Sequence, residues 1–270
     1  MWCRSGRLLS RRGSSALVAW LAAAAAVAAQ QMPDRTFQPM IEDRAYAIGT
    51  GPIVCVDQSH DNFYTSNDSL WPLQDLIRRD GFVVRAVTAS EPQSGDAVPA
   101  DCRILVIAAP RSRIVAEAMR RWVAEGGRLL LITDPDSSAA VADLAASFGV
   151  NFIDAPARAG RFRVADKTLR PHAIVRGRHA KESPASITVF AGLPMRMPDE
   201  AEPLLVTTDG AVLGAVMRVE MGRAAFFGDP ALFTAQIAGP DRRPVGMNAR
   251  GSEQNFQLVL NVMHWLSGVI

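Results

Sequence analysis

From Pro52 onward, short apolar runs alternate with amphipathic stretches along the chain. The runs Ile53 to Asp57, Phe82 to Thr88, Arg103 to Ala108 and Arg128 to Thr133 read as strands. Ser69 to Asp80, Ser112 to Glu125 and Ser138 to Phe148 carry apolar residues at helical spacing. In the second of these stretches Ile114, Ala118, Met119, Trp122 and Val123 share one face, which is the pattern of a core-facing helix. Gly81 and Gly126-Gly127 stand where a left-handed C-terminal cap is needed, and Ser69 reads as an N-cap with Pro72 close behind it. Strands alternating with amphipathic helices imply βαβ units around a parallel sheet.

The pattern changes between residues 151 and 222. Prolines punctuate short β-prone pieces at Ser186 to Phe190, Leu204 to Thr207 and Ala211 to Val219, which reads as an antiparallel elaboration of the sheet. An apolar strand, Arg223 to Phe227, follows. A loop rich in Gly, Pro and Arg then runs from Gly239 to Gly251, before a final helix from about Ser252 to Ser267. Upstream, residues 30–51 are polar and aperiodic and read as an extended lead-in to one α/β domain over residues 52–270.

Composition changes this picture mainly at the amino terminus. Arg4, Arg7, Arg11 and Arg12 precede the apolar run Ala16 to Ala29, which ends in small residues. That is the three-part signature of a secretory signal peptide, with cleavage near Ala28 or Ala29. The run is shorter than the roughly 20 residues of a spanning helix, so a membrane contact is expected only if the segment is retained. Its removal deletes four arginines and no acid, and the net charge falls from +2 to −2. A nucleic-acid partner then lacks electrostatic support, and a periplasmic or secreted location follows. The scarcity of lysine against arginine reads as codon bias. In an oxidising compartment Cys55 and Cys102 could pair. With the two strands level at their carboxyl ends, however, the thiols stand about 13 Å apart along the strand axis, so two buried free thiols are expected. No metal-spaced or CxxC pattern is present, and no cofactor is expected.

The candidate chemistry gathers where strands end. Asp57, Ser59, His60 and Asn62 leave the first strand within six residues, and in an open α/β sheet ligands sit outside the carboxyl ends of the strands. These groups suit a polar ligand, a water or a metal; a hydrogen-bonded turn is the alternative. Asp134-Pro135 and Asp229-Pro230 each set an acid and a proline after a strand, the grammar of a helix cap. If the three acids converge they form an acidic pocket in which like-charge repulsion raises one pKa. Asn248 and Asn255 flank the start of the last helix and could reach the same crevice from the long loop. Ser59 and His60 are adjacent, but adjacency alone does not bring their side chains into hydrogen-bond reach. His172 and His179 get no catalytic role, and His264 reads as a core or interface histidine.

Taken in order, several segments resemble a family. They are Asp57 to Asn62, Ile104 to Pro110, Trp122 to Asp134, Pro171 to Gly177, Gly222 to Phe233 and the closing Asn255 to Trp265 helix. Together they resemble the uncharacterised bacterial proteins with a class I glutamine amidotransferase-like fold, the broad group that includes the domain of gliding-motility and intraflagellar-transport proteins. The resemblance implies a flavodoxin-like, three-layer α/β fold with a parallel sheet and an antiparallel β elaboration. In true amidotransferases one strand delivers a nucleophilic cysteine, and here the matching strand ends in Asp134-Pro135. The expectation is therefore a non-catalytic periplasmic module that binds a polar ligand or an envelope protein. The alternative is a hydrolase-type enzyme using Asp57, His60 and Asp134 on a sugar or peptide.

Overall fold

The structure is a computed structural model, and it describes residues 31–89 and 98–270. The signal-peptide reading of residues 1–29 lies outside the described residues. In chain order the strands are β1 (Gln31–Pro33), β2 (Ile53–Gln58), β3 (Val83–Thr88), β4 (Ile104–Ala108), β5 (Arg128–Ile132), β6 (Asn151–Phe152), β7 (Arg158–Arg163), β8 (Ser186–Gly192), β9 (Met195–Arg196), β10 (Glu202–Val206), β11 (Val212–Val219), β12 (Gly222–Phe227), β13 (Ala235–Ala238) and β14 (Arg243–Gly246). The helices are α1 (Trp71–Arg79), α2 (Ala116–Ala124), α3 (Ser138–Ser147), α4 (Ala173–Arg176) and α5 (Asn255–Ser267).

Five parallel strands stand in the order β3-β2-β4-β5-β12, so the first parallel strand lies between the second and the third. This is the flavodoxin-like order, and its topological switch point falls between β2 and β4. Strand β11 then pairs antiparallel with β12 and carries β10 and β9, the expected elaboration. The three layers follow from period-two alternation. Val54, Val56, Val106, Leu130 and Phe227 pack with α1 and α5, whereas Cys55, Leu105, Ile107, Leu131 and Phe226 pack with α2 and α3. All of β4 is buried, as a parallel strand covered on both faces must be. Among the described residues no helix is long and apolar enough to cross a membrane.

Several expectations are corrected. Helix α2 starts at Ala116 rather than Ser112: the amides of Arg111 and Ser112 both donate to the carbonyl of His60 in a bend, and the N-cap Val115 is extended. Ser69 does not cap α1; Leu70 is the N-cap and no side chain bonds there. Helix α5 begins at Asn255, because the Ser252 hydroxyl is engaged with the carbonyls of Gly246 and Ala249. The Gly239 to Gly251 stretch holds β14, which pairs with β13, while β1 pairs with the other edge of β13. The lead-in is thus pinned to the domain at β1. It is also pinned through Asp34, whose carboxylate accepts the Asn248 amide at 2.9 Å.

The cysteines are likewise corrected, since Cys55 and Cys102 form a disulfide with Cα atoms 5.7 Å apart. The level-ends picture fails for two reasons. Cys55 faces Leu105, so the offset to Cys102 is three positions rather than four, and Cys102 lies in a turn whose amide bonds the Pro99 carbonyl. A turn folds back along the sheet face where an extended chain would run away from it.

Candidate functional site

The turn after β2 is organised by Asp57, which is 3% exposed. Its Oδ1 accepts the Ser59 amide at 3.1 Å and the Ser59 hydroxyl at 2.5 Å. Its Oδ2 accepts His60 Nδ1 at 2.9 Å and Asn62 Nδ2 at 3.0 Å. Burial pushes the Asp57 carboxyl up, but the hydrogen bond and charge of His60, with the two Ser59 bonds, outweigh it and hold the pKa below the usual value. Asn62 also donates to the Ala108 carbonyl at 3.3 Å, which ties the turn to the end of β4 across the switch point. The Phe63 amide adds a bond to the Ala109 carbonyl at 2.9 Å.

Ser59 and His60 do come into reach, at 3.1 Å between Oγ and Nδ1, because both side chains bond the Asp57 carboxylate. The arrangement is nevertheless unlike a hydrolytic triad. There, the base accepts the serine proton on one ring nitrogen and leans on its acid with the other. Here the serine hydroxyl and the carboxylate meet the same nitrogen, and the hydroxyl donates to Asp57. Among the described residues no three histidine, cysteine or acidic side chains are grouped so as to hold a metal.

Asp134 and Asp229 both cap turns. Asp134 Oδ1 accepts the Ser137 amide at 2.9 Å and hydroxyl at 2.7 Å, so it fixes the turn leading into α3 rather than the first helical residue itself. Asp229 is the N-cap of a 3₁₀ turn over Pro230–Phe233, where it accepts the Ala231 amide at 3.0 Å. Its other oxygen accepts the Phe190 amide at 2.6 Å. Asp229 is 2% exposed, and burial first, with the neighbouring charge of Asp134 adding to it, raises its pKa to about 6. Burial first, and then the charges of Asp134, Asp229 and Asp136, push the Tyr64 hydroxyl well above its ordinary pKa. Asp134 and Asp229 thus feel each other's charge, while Asp57 is enclosed by its own turn.

The two buried carboxyls give opposite pH dependences. For Asp229 the folded pKa lies above the unfolded value of 3.8, so stability from its neutral form is complete below that value and lost as pH rises through about 6. About two pKa units correspond to about 3 kcal/mol. For Asp57 the folded pKa lies below the unfolded value, so its contribution stands above pH 3.8 and disappears as pH falls. Urea unfolding of wild type and Asp229→Asn is expected to show the variant gaining relative to wild type between pH 4 and pH 7. A constant difference across that range would contradict the assignment.

Outside the sheet a cleft of ≈ 70 Å³ is lined by Phe63, Ala109, Arg111, Asp134, Asp136 and Ser137. The Arg111 guanidinium lies 5.0 Å over the Phe63 ring. Arg111 and Asp136, both exposed, line one cleft without pairing with each other or with another charged residue among the described residues. Of these residues only Asp134 stood out in the sequence. Phe63, Tyr64, Arg111 and Asp136 were missed, and the signal available was position alone, since each lies within a few residues of a strand end. Asn248 and Asn255 do not join the cleft. Besides Asp34, Asn248 bonds the Gln236 carbonyl at 3.1 Å, and Asn255 exchanges two hydrogen bonds with the Thr188 backbone at 2.9 and 2.8 Å.

The same architecture is found in solved structures. The N-terminal domain of mmIFT52 matches at a TM-score of 0.62 and 15% identity, covering 79% of this chain and 97% of that one. Cytoplasmic protein STM3548 from Salmonella typhimurium matches at 0.52 and 14% identity, covering 80% and 98%. Identities this low bear on the fold alone. No match is found among the curated proteins. A family model matches residues 71–236, a span that begins after the Asp57 to Asn62 turn and holds Arg111, Asp134, Asp136 and Asp229. More than half of the sequence lies in that span, so the chain belongs to the family described as a domain of unknown function, DUF4350.

Proposed function

We propose that this chain is a non-catalytic binding module of the bacterial envelope, and that its ligand presents a small zwitterionic end, such as an amino acid or a peptide terminus, to the cleft beside the switch point. The observation that carries this reading is the pair of opposite charges, Arg111 and Asp136, without an ion-pair partner among the described residues, across one small cleft next to the Phe63 ring. A guanidinium is suited to a carboxylate, and a carboxylate to an ammonium. At ≈ 70 Å³ the cleft is far below the roughly 300 Å³ of ordinary small-molecule pockets, which favours the end of a ligand over the whole of one.

Binding is favoured over hydrolysis by Asp57, His60 and Asp134 because the Asp57 oxygens are already taken by Ser59, His60 and Asn62. An exported location is supported by the Cys55–Cys102 disulfide, together with the basic and apolar amino terminus.

The test is calorimetry and thermal shift with alanine and dialanine, compared with their N-acetylated and amidated forms. Binding is expected only when both termini are charged. Arg111→Ala and Asp136→Asn, both exposed, are each expected to weaken it roughly tenfold or more, the scale of a charged hydrogen bond. Equal binding of the blocked forms, or no binding by any, would sink the reading.

A further inference from the structure

At the opposite pole, where the parallel strands begin, arginines stand in a row. Arg128 opens β5 and faces Arg223 of β12, and Arg223 faces Arg218 of β11. Directly facing residues project to one side of a sheet, here the side of α5, since the Arg223 guanidinium lies 5.1 Å over the Trp265 ring. Arg103, one residue before β4, adds a fourth charge. Burial first, and then the charges of Arg103, Arg223 and Arg218, lower the pKa of Arg128.

None of the four is ion-paired to a carboxylate among the described residues. Arg128 donates to the carbonyls of Gly126, Gly127 and Met221, and Arg223 to those of Trp265 and Ile270. Glu202, at the edge of this region, lies 3.6 Å from His172. Glu220, in the β11–β12 turn itself, and Glu125, in the turn before β5, are exposed and pair with none of the four. Between the arginines the β11–β12 turn projects Met221, which is 69% exposed. Like charges at facing positions destabilise a sheet. A row of them kept without internal acids is a surface that an external anion completes.

We propose that this arginine row docks on an anionic phospholipid bilayer, with the guanidiniums on lipid phosphates and Met221 entering the interface. Guanidinium matches phosphate geometry in a two-point contact, and an apolar side chain standing beyond a basic row is the combination that a charged membrane surface rewards. An acidic polypeptide would satisfy the charges but gives Met221 nothing to enter. In this orientation the cleft at Phe63 and Arg111, at the other end of the strands, faces away from the membrane.

Flotation of the full chain with vesicles containing equal parts of phosphatidylglycerol and phosphatidylcholine, against phosphatidylcholine alone, tests the proposal. An excess of binding to the anionic vesicles is expected, and it should fall at high salt. The side chains of Arg103 and Arg218 are exposed and form no hydrogen bond or ion pair with a described residue, so R103Q/R218Q should keep the fold and reduce the excess roughly tenfold or more. M221S should reduce it several-fold. Equal binding to both vesicles, unchanged binding by R103Q/R218Q, or full displacement by inorganic phosphate or polyglutamate would overturn the proposal, the last by making a soluble anion the ligand.

Discussion

Replacing both Cys55 and Cys102 by alanine is expected to cost about 4 kcal/mol of stability and to lower the melting temperature by on the order of 10 °C. The bridge closes 47 positions of sequence, and closing a loop of that length in the unfolded chain accounts for a loss of about that size. Inside the loop lie the Asp57 turn, α1 and β3. Cys55 sits in β2 and Cys102 leads into β4, so the bridge joins the two strands on either side of the switch point. Its sulfurs are packed within the core layer of Leu105, Ile107 and Val123. Urea unfolding of the double variant, and of wild type with and without reductant, measures the effect. If reduced wild type and the double variant both unfold within about 1 kcal/mol of the oxidised protein, the bridge is not a main support of the fold, and the argument for an oxidising compartment loses its structural half.

The misreading of that pair shows where sequence reasoning stops. Strands such as Ile104–Ala108 were legible because a strand buried on both faces must be apolar throughout, and the pattern is written locally. The parallel sheet followed from alternation with helices, and the flavodoxin-like, three-layer class from the resemblance. What could not be read was anything set by chain direction after an element ends. Cys102 reaches Cys55 because a turn reverses its path, and Ser112 is held in a bend before its helix, where its amide bonds a carbonyl of the β2 turn. In the candidate site, Asp57, Ser59, His60 and Asn62 were legible because they share one short turn. Asn248 and Asn255 look equally suited to a ligand, yet their partners Asp34 and Thr188 lie 214 and 67 positions away. Phe63, Arg111 and Asp136 come from separate loops with no common spacing, so only the fold brings them to one cleft.

His264→Ala is expected to be as damaging as loss of the disulfide, costing roughly 3 to 5 kcal/mol. His264 and Asp80 are 1% and 0% exposed, and Nε2 lies 2.6 Å from the Asp80 carboxylate. The carboxylate can only accept, so the ring nitrogen donates. The other oxygen of Asp80 accepts the Ala45 amide at 2.9 Å, and the Asp80 carbonyl accepts the Tyr46 amide at 3.2 Å. One side chain thus joins three segments: α5, the end of α1 and the strap from Glu42 to Tyr46. Arg178 holds the same strap through the carbonyls of Asp43 and Arg44, and Lys181 pairs with Glu42. Removing the imidazole leaves a carboxylate in the core with a single amide to satisfy it, and an uncompensated buried charge costs far more than the intact pair contributes. The strap has the least apolar support of the three segments, so it should yield first, with proteolysis near Glu42 to Ala45 rising before global unfolding does. Substitution of His179, which reaches the strap from the surface at 3.0 Å from Asp43, should change stability by under about 1 kcal/mol. If His264→Ala were as mild as His179→Ala, water would have to reach Asp80, and the core between α1 and α5 would be looser than its packing implies.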